Sequence, residues 1–149
     1  MKKIAIATVI ALAATAASAL ELGVTTARDY AGDNRNATGV SVGKKFGAVD
    51  VTAGFDRATL GAVDQDRYSV VAGYNVAQLG PVSVAVKTGA AYLNNQTGQD
   101  GYAALVGVGA SVPVTKSVAL TVDATRQYGQ DRVKASDGNR VAVGLKYSF

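Results

Sequence analysis

The chain has 149 residues, 48% of them hydrophobic, with no cysteine, histidine or tryptophan and a formal net charge of +4. That length suits a single domain, and the missing cysteines exclude a disulfide framework. Without His or Cys there is no ordinary transition-metal ligand set and no commonest general base, and beyond Lys2 and Lys3 the charge falls to about +2, not a nucleic-acid-binding balance, so neither an enzyme, a cofactor nor a nucleic-acid partner is expected.

Residues 1–19 read as a cleaved export signal: Lys2 and Lys3 make a basic start, Ile4 to Ala14 is almost wholly apolar, and Ala17-Ser18-Ala19 is a small-x-small cleavage site. The mature chain would begin at Leu20, leaving about 130 residues for one domain, 20–149. From there apolar residues recur at every second position, the period of a strand with two unlike faces, and helix-type spacing is absent. The pattern predicts eight strands: Leu20 to Tyr30, Thr38 to Phe46, Val49 to Arg57, Arg67 to Val76, Val82 to Leu93, Tyr102 to Val112, Val118 to Tyr128, and Arg140 to Phe149. Short connections at Gly47-Ala48, Ala77 to Pro81 and Pro113 to Ser117 alternate with longer polar ones at Ala31 to Ala37, Ala58 to Asp66, Asn94 to Gly101 and Gly129 to Asn139. Such sorting fits an all-β, eight-stranded antiparallel up-and-down barrel with tight turns at one end and longer loops at the other.

The two faces differ in the direction a membrane requires. All 7 tyrosines and 3 phenylalanines share the parity of the aliphatic residues. Tyr30, Tyr68, Tyr92, Tyr102 and Tyr128 stand near the longer loops, and Phe46, Tyr74, Tyr147 and Phe149 near the short turns, with Phe55 and otherwise Val, Leu, Ala and Thr between. Two aromatic girdles around an aliphatic waist describe a lipid-facing surface, because amphipathic rings favour the headgroup level. The other face is small and polar, with Gly23, Thr25, Ser41, Thr52, Gly54, Gly109 and Thr121 among its members, too poor in apolar volume for a soluble core.

Charge sorts with the faces. The inward parity carries the acids Glu21, Asp29, Asp50, Asp56 and Asp123 and the bases Lys45, Arg67, Lys87, Arg140 and Lys146, a neutral set expected to pair within the lumen. Strand register predicts Lys45 opposite Asp50, Glu21 meeting Lys146 and Asp29 meeting Arg140 where the last strand closes on the first, and Lys87 and Asp123 at similar height two strands apart. Outward, the predicted strands carry only bases, Lys44 near the turns and Arg28, Arg57 and Arg126 near the loops. A basic side chain is cheap at the interface and expensive at mid-membrane, and guanidinium pairs bidentately with phosphate, so the three arginines are candidates for contact with lipopolysaccharide. Asp64-Gln65-Asp66 and Gln99-Asp100 lack the spacing of a calcium loop and read as solubilising loop residues.

The closing segment, Val143-Gly144-Leu145-Lys146-Tyr147-Ser148-Phe149, resembles the last strand of outer-membrane β-barrels, with its glycine, alternating hydrophobic positions and terminal aromatic. With the signal and eight strands, the whole mature chain looks like the small barrels of the OmpX, NspA and opacity-protein type, or the barrel half of OmpA, in the porin-like families of Gram-negative bacteria. The resemblance implies an outer-membrane location and a monomer in contact with outer-membrane lipid. It further implies that Gly144, Tyr147 and Phe149 form the assembly signal met by periplasmic chaperones and the barrel-assembly machinery. A structural or surface role in envelope integrity is the expected function; a narrow porin-like channel for ions or very small solutes is the alternative.

Overall fold

The computed structural model describes residues 20–31, 33–60, 63–95, 100–130 and 137–149; the expected export signal lies outside them. Eight strands follow in order: β1 (Leu20–Ala31), β2 (Asp33–Phe46), β3 (Val49–Leu60), β4 (Val63–Leu79), β5 (Val82–Asn95), β6 (Gly101–Pro113), β7 (Val118–Gly129) and β8 (Gly138–Ser148). Each pairs antiparallel with the next, and β8 pairs with β1, so the sheet is a closed barrel. Closure satisfies the backbone donors and acceptors of both terminal strands and leaves no edge. The register at the seam runs from Glu21 opposite Ser148 to Tyr30 opposite Asn139, and the Phe149 N–H donates to the Leu20 carbonyl at 3.1 Å.

Turn chemistry sets one end of the barrel. Gly47 and Gly80 adopt φ of 63° and 61°, each at the first position of a two-residue hairpin turn, where a positive φ favours glycine. Between β6 and β7, the N–H groups of Val114 and Thr115 donate to the Val118 carbonyl at 2.8 and 3.0 Å, and Thr115 Oγ1 accepts from the N–H of Val118 at 3.0 Å.

At the opposite end the strands run further than their apolar pattern. Pairing continues to Ala31 opposite Asp33 and to Leu60 opposite Val63, so most residues of two of the four expected long loops belong to paired strands. Only the connections after β5 and β7 remain long, and loop length alone is a weaker mark of sidedness than the sequence implied. The segment 33–37 and the Asp64-Gln65-Asp66 triplet, expected in loops, belong to β2 and β4. Both faces of these extensions are largely polar, which removes the alternating apolar signal while the backbone ladder persists.

β4 differs at its other end as well. It reaches Leu79 rather than stopping at Val76, because a bulge between Asn75 and Ala77 inserts one unpaired residue. Beyond the bulge Ala77 and Leu79 stand opposite Val84 and Val82, restoring an outward apolar row. Gln78 faces Ser83, whose hydroxyl donates to Gln78 Oε1 at 2.7 Å.

Burial alternates along the strands with the expected parity. Val24, Val40 and Val108 are exposed outward at 56%, 57% and 52%, whereas Leu93 and Arg140 point inward at 0% and 6%. The few buried apolar side chains, Ala27, Ala37, Ala58, Ala91, Leu93, Ala103 and Leu105, lie in the loop half of the lumen. The other half is lined by glycine, serine and threonine together with charged side chains such as Glu21, Asp50, Lys87, Asp123 and Lys146.

Candidate functional site

The lumen is where this chain concentrates its charge, and its centre is a layered ion-pair network at the loop end. Asp56 on β3 and Arg67 on β4 are in register, with Arg67 Nε donating to Asp56 Oδ2 at 2.9 Å. Across the lumen Arg140 on β8 donates through Nη1 to Asp56 Oδ1 at 3.1 Å and to Asp29 Oδ1, also at 3.1 Å. One carboxylate thus receives two guanidinium groups from opposite walls. Arg67 Nη1 also reaches Gln127 Oε1 on β7 at 3.4 Å, and Arg35 Nη1 reaches Gln65 Oε1 at 3.3 Å. Leu93 aligns with Arg67 and Leu105 with Gln127, so the layer is completed by branched side chains on β5 and β6. The space left among Asp29, Arg35, Asp56, Arg67, Gln127 and Arg140 is about 20 Å³, room for roughly one water. This layer is a plug.

Toward the short turns the lumen opens into a cavity of about 410 Å³, lined by small residues such as Gly23, Ser41, Gly54 and Thr121 and by several charges. An eight-stranded barrel is just wide enough for side chains to fill, so a hollow follows directly from the small residues there. Lys146 lies at its mouth, 2.7 Å from Glu21 Oε2 and 2.7 Å from Asp50 Oδ2. Asp50 also accepts from Thr52 Oγ1 at 3.1 Å. At mid-height Lys87 on β5 and Asp123 on β7 form an ion pair over the intervening β6. They can meet because β6 carries Gly109 at that point, where a Cβ would collide with the Asp123 carboxylate.

The expected lumen set is therefore gathered inside, with one pairing different from expectation. Lys45 stands opposite Asp50 in the β2–β3 register but makes no ion pair among the described residues, because Asp50 turns across the lumen to Lys146 and Lys45 is exposed at the rim. Three plug residues were missed from sequence: Arg35 and Gln65, placed in loops, and Gln127, passed over as an uncharged member of the inward face. Inward parity was the available signal, directly for Gln127 within its predicted strand and, for Arg35 and Gln65, through extension of the strands across the polar stretches.

The outward bases divide into two kinds. Arg28 lies over the Tyr30 ring at 5.7 Å, Arg126 over Tyr128 at 5.3 Å, and Lys44 over Phe46 at 5.4 Å, each using the aromatic two residues along its own strand. Arg57 instead makes a two-pronged pair with Asp66, Nε to Oδ1 at 2.7 Å and Nη2 to Oδ2 at 3.1 Å. An acid does therefore stand on the outward face, because β4 extends through Asp66; beside it Asp64 accepts from Thr59 Oγ1 at 3.0 Å. Asp100, the described member of the Gln99-Asp100 pair, accepts from Tyr92 Oη at 3.1 Å.

On the closing strand, Tyr147 and Phe149 face outward with ring centroids 4.9 Å apart, edge to face. Gly144 faces inward, where a Cβ would stand 2.7 Å from both Thr25 Cγ2 and the Val24 carbonyl. Tilted aromatic pairs recur around the outer surface, with Phe55 and Tyr68 at 5.1 Å and Tyr92 and Tyr102 at 5.2 Å.

No protein-family model matches this chain, and no curated protein matches it in sequence. Solved structures do match in fold. Neisserial surface protein A (NspA) is similar with a TM-score of 0.67 at 16% identity, over 87% of this chain and 96% of that one. A major outer-membrane protein from Thermus thermophilus gives 0.61 at 15% identity, over 88% and 100% of the two chains. The Yersinia pestis outer membrane protein Ail in a phospholipid bilayer nanodisc gives 0.55 at 15% identity, over 89% and 99%. At these identities what is shared is architecture: the chain has the closed, eight-stranded, all-antiparallel fold of small outer-membrane barrels.

Proposed function

We propose that this protein is an integral outer-membrane β-barrel with a closed lumen, serving a structural or surface role in the envelope. The carrying observation is the inverted placement of solvents: a belt of exposed Val, Leu, Tyr and Phe outside, and buried Asp–Arg pairs inside. In water that belt would be an aggregation surface far larger than a soluble monomer tolerates; in lipid it is the stabilising face. The fold shared with outer-membrane barrels supports the same address, as does the export-signal pattern expected of residues 1–19. Assembly would proceed through the barrel-assembly machinery, with Gly144, Tyr147 and Phe149 as its recognition segment. Cell fractionation with heat-modifiable gel mobility tests the location: the folded protein is expected in the outer-membrane fraction, and recovery as a soluble periplasmic protein would refute the barrel's membrane role.

A narrow channel is the second possibility, favoured by the cavity of about 410 Å³ in the turn half. The plug weighs against it, because three arginines, two aspartates and two glutamines leave space for about one water at the loop end. Refolded protein in planar bilayers is expected to show no stable open level. A reproducible single-channel conductance would overturn the closed barrel in favour of the channel.

A further inference from the structure

We propose that Arg28 and Arg126, with Asn139 between them, form a binding site for the phosphate of an outer-leaflet lipid headgroup; the site rests on the membrane placement proposed above. The closed register brings these residues together from the two ends of the chain. Arg28 on β1 stands opposite Val141 of β8, and Arg126 on β7 stands opposite Asn139 of the same strand, which on its other side faces Tyr30. Only β8 separates the two arginines. Two strand spacings make about 10 Å across the sheet and the two-residue offset along β8 adds about 7 Å, so the two backbones stand about 12 Å apart, a span over which two arginine side chains can converge on one headgroup.

Each guanidinium is steadied over its own tyrosine ring, and Arg126 Nη1 also donates to Asn139 Oδ1 at 3.3 Å. Neither arginine has an ion-pair partner among the described residues. Their exposed neighbours on β2 are amides: Asn36 opposite Arg28 and Asn34 opposite Tyr30. The one described carboxylate at the β7–β8 end, Asp137, accepts from the Gly129 N–H rather than from either arginine, so this side of the loop-end girdle is rich in donors, with two positive charges left for an external anion. Across the barrel the situation is reversed, since Arg57 is held by Asp66 and Asp64 stands beside it. A phosphate approaching β3 and β4 would meet carboxylates. Of the three outward arginines, the geometry selects two and rejects the third.

At the depth of the tyrosine girdle the available phosphate belongs to a lipid, and a guanidinium fork pairs with it bidentately where water is scarce. The test uses the full barrel in nanodiscs doped with diphosphorylated lipid A or with the same lipid stripped of its phosphates, and counts retained lipid by native mass spectrometry. Wild type is expected to retain the phosphorylated form about tenfold better, the change that 1.4 kcal/mol of charge-assisted hydrogen bonding produces. The Arg28→Gln/Arg126→Gln double variant should lose that preference and Arg57→Gln should keep it, while excess inorganic phosphate leaves it intact. Equal retention of both lipids by wild type, equal loss in Arg57→Gln, or displacement by inorganic phosphate would overturn the lipid site. A wild-type chain that shows no heat-modifiable folded band in nanodiscs would instead refute the membrane placement, and the site with it.

Discussion

Asp56→Ala is expected to cost the folded barrel about 3–5 kcal/mol, the usual consequence of removing one partner from a buried ion pair. The side chain is 8% exposed and receives Arg67 from the adjacent strand and Arg140 from across the lumen, so its loss strips a shared acceptor from two guanidinium groups. Asp29 still accepts from Arg140, but among the described residues no second carboxylate reaches Arg67. Asp56→Asn should fall between wild type and alanine, because the amide oxygen keeps one acceptor while the charge is gone. Asp66→Ala is the matched control. It also deletes an aspartate paired to an arginine, yet Arg57 is 53% exposed at the barrel's rim, where an ion pair contributes little. Urea unfolding of the three variants in phospholipid vesicles gives the comparison. If Asp56→Ala were as stable as wild type, the plug would not be a packed layer at all.

Val122→Arg should destabilise by about 2–4 kcal/mol, whereas Tyr128→Arg on the same strand should cost only about 0–1. Val122 is 44% exposed and lies near the middle of β7, between Ala110 of β6 and Val143 of β8, and Tyr128 stands at the loop-end girdle. A charge at mid-height must shed its water or drag water into the hydrocarbon, while at the girdle it reaches the headgroups. On a barrel whose outside faced water the two substitutions would be nearly alike and both close to neutral. The depth dependence, more than either value, separates the two solvents.

The barrel was legible from sequence because its two faces meet different solvents over most of each strand, and period-2 alternation reports that difference directly. Where both faces are polar the signal vanishes, as in Asp33 to Asn36 and Asp64 to Asp66; pairing continues there because backbone hydrogen bonds do not depend on side-chain contrast. The bulge after Asn75 was hidden for a related reason: one inserted residue exchanges the parities of everything beyond it, so Leu79 looked like loop. Among the charges, Asp29–Arg140 is in direct register across the seam and follows from turn positions, whereas Lys45 and Asp50 are in register across one hairpin and still do not pair, because Asp50 turns to Lys146. Asp50–Lys146 and Asp56–Arg140 cross the lumen, and their meeting depends on barrel diameter and stagger, which no single strand encodes. The division of the three outward arginines needed Asp66 to be on a strand, and so waited on the length of β4.

The central claim is that lipid solvates the outer face of these strands and protein the inner. The chain has no cysteine, so single cysteines placed from Val118 to Tyr128 can each carry one nitroxide label in bilayers without background. Collision rates with oxygen, which concentrates in lipid, are expected to peak at Leu120, Val122 and Ala124 and to fall at Thr121 and Asp123, with a relaxing agent confined to water reaching none of the peak positions. Oxygen access without that alternation, or free access of the aqueous agent to position Val122, would contradict the account.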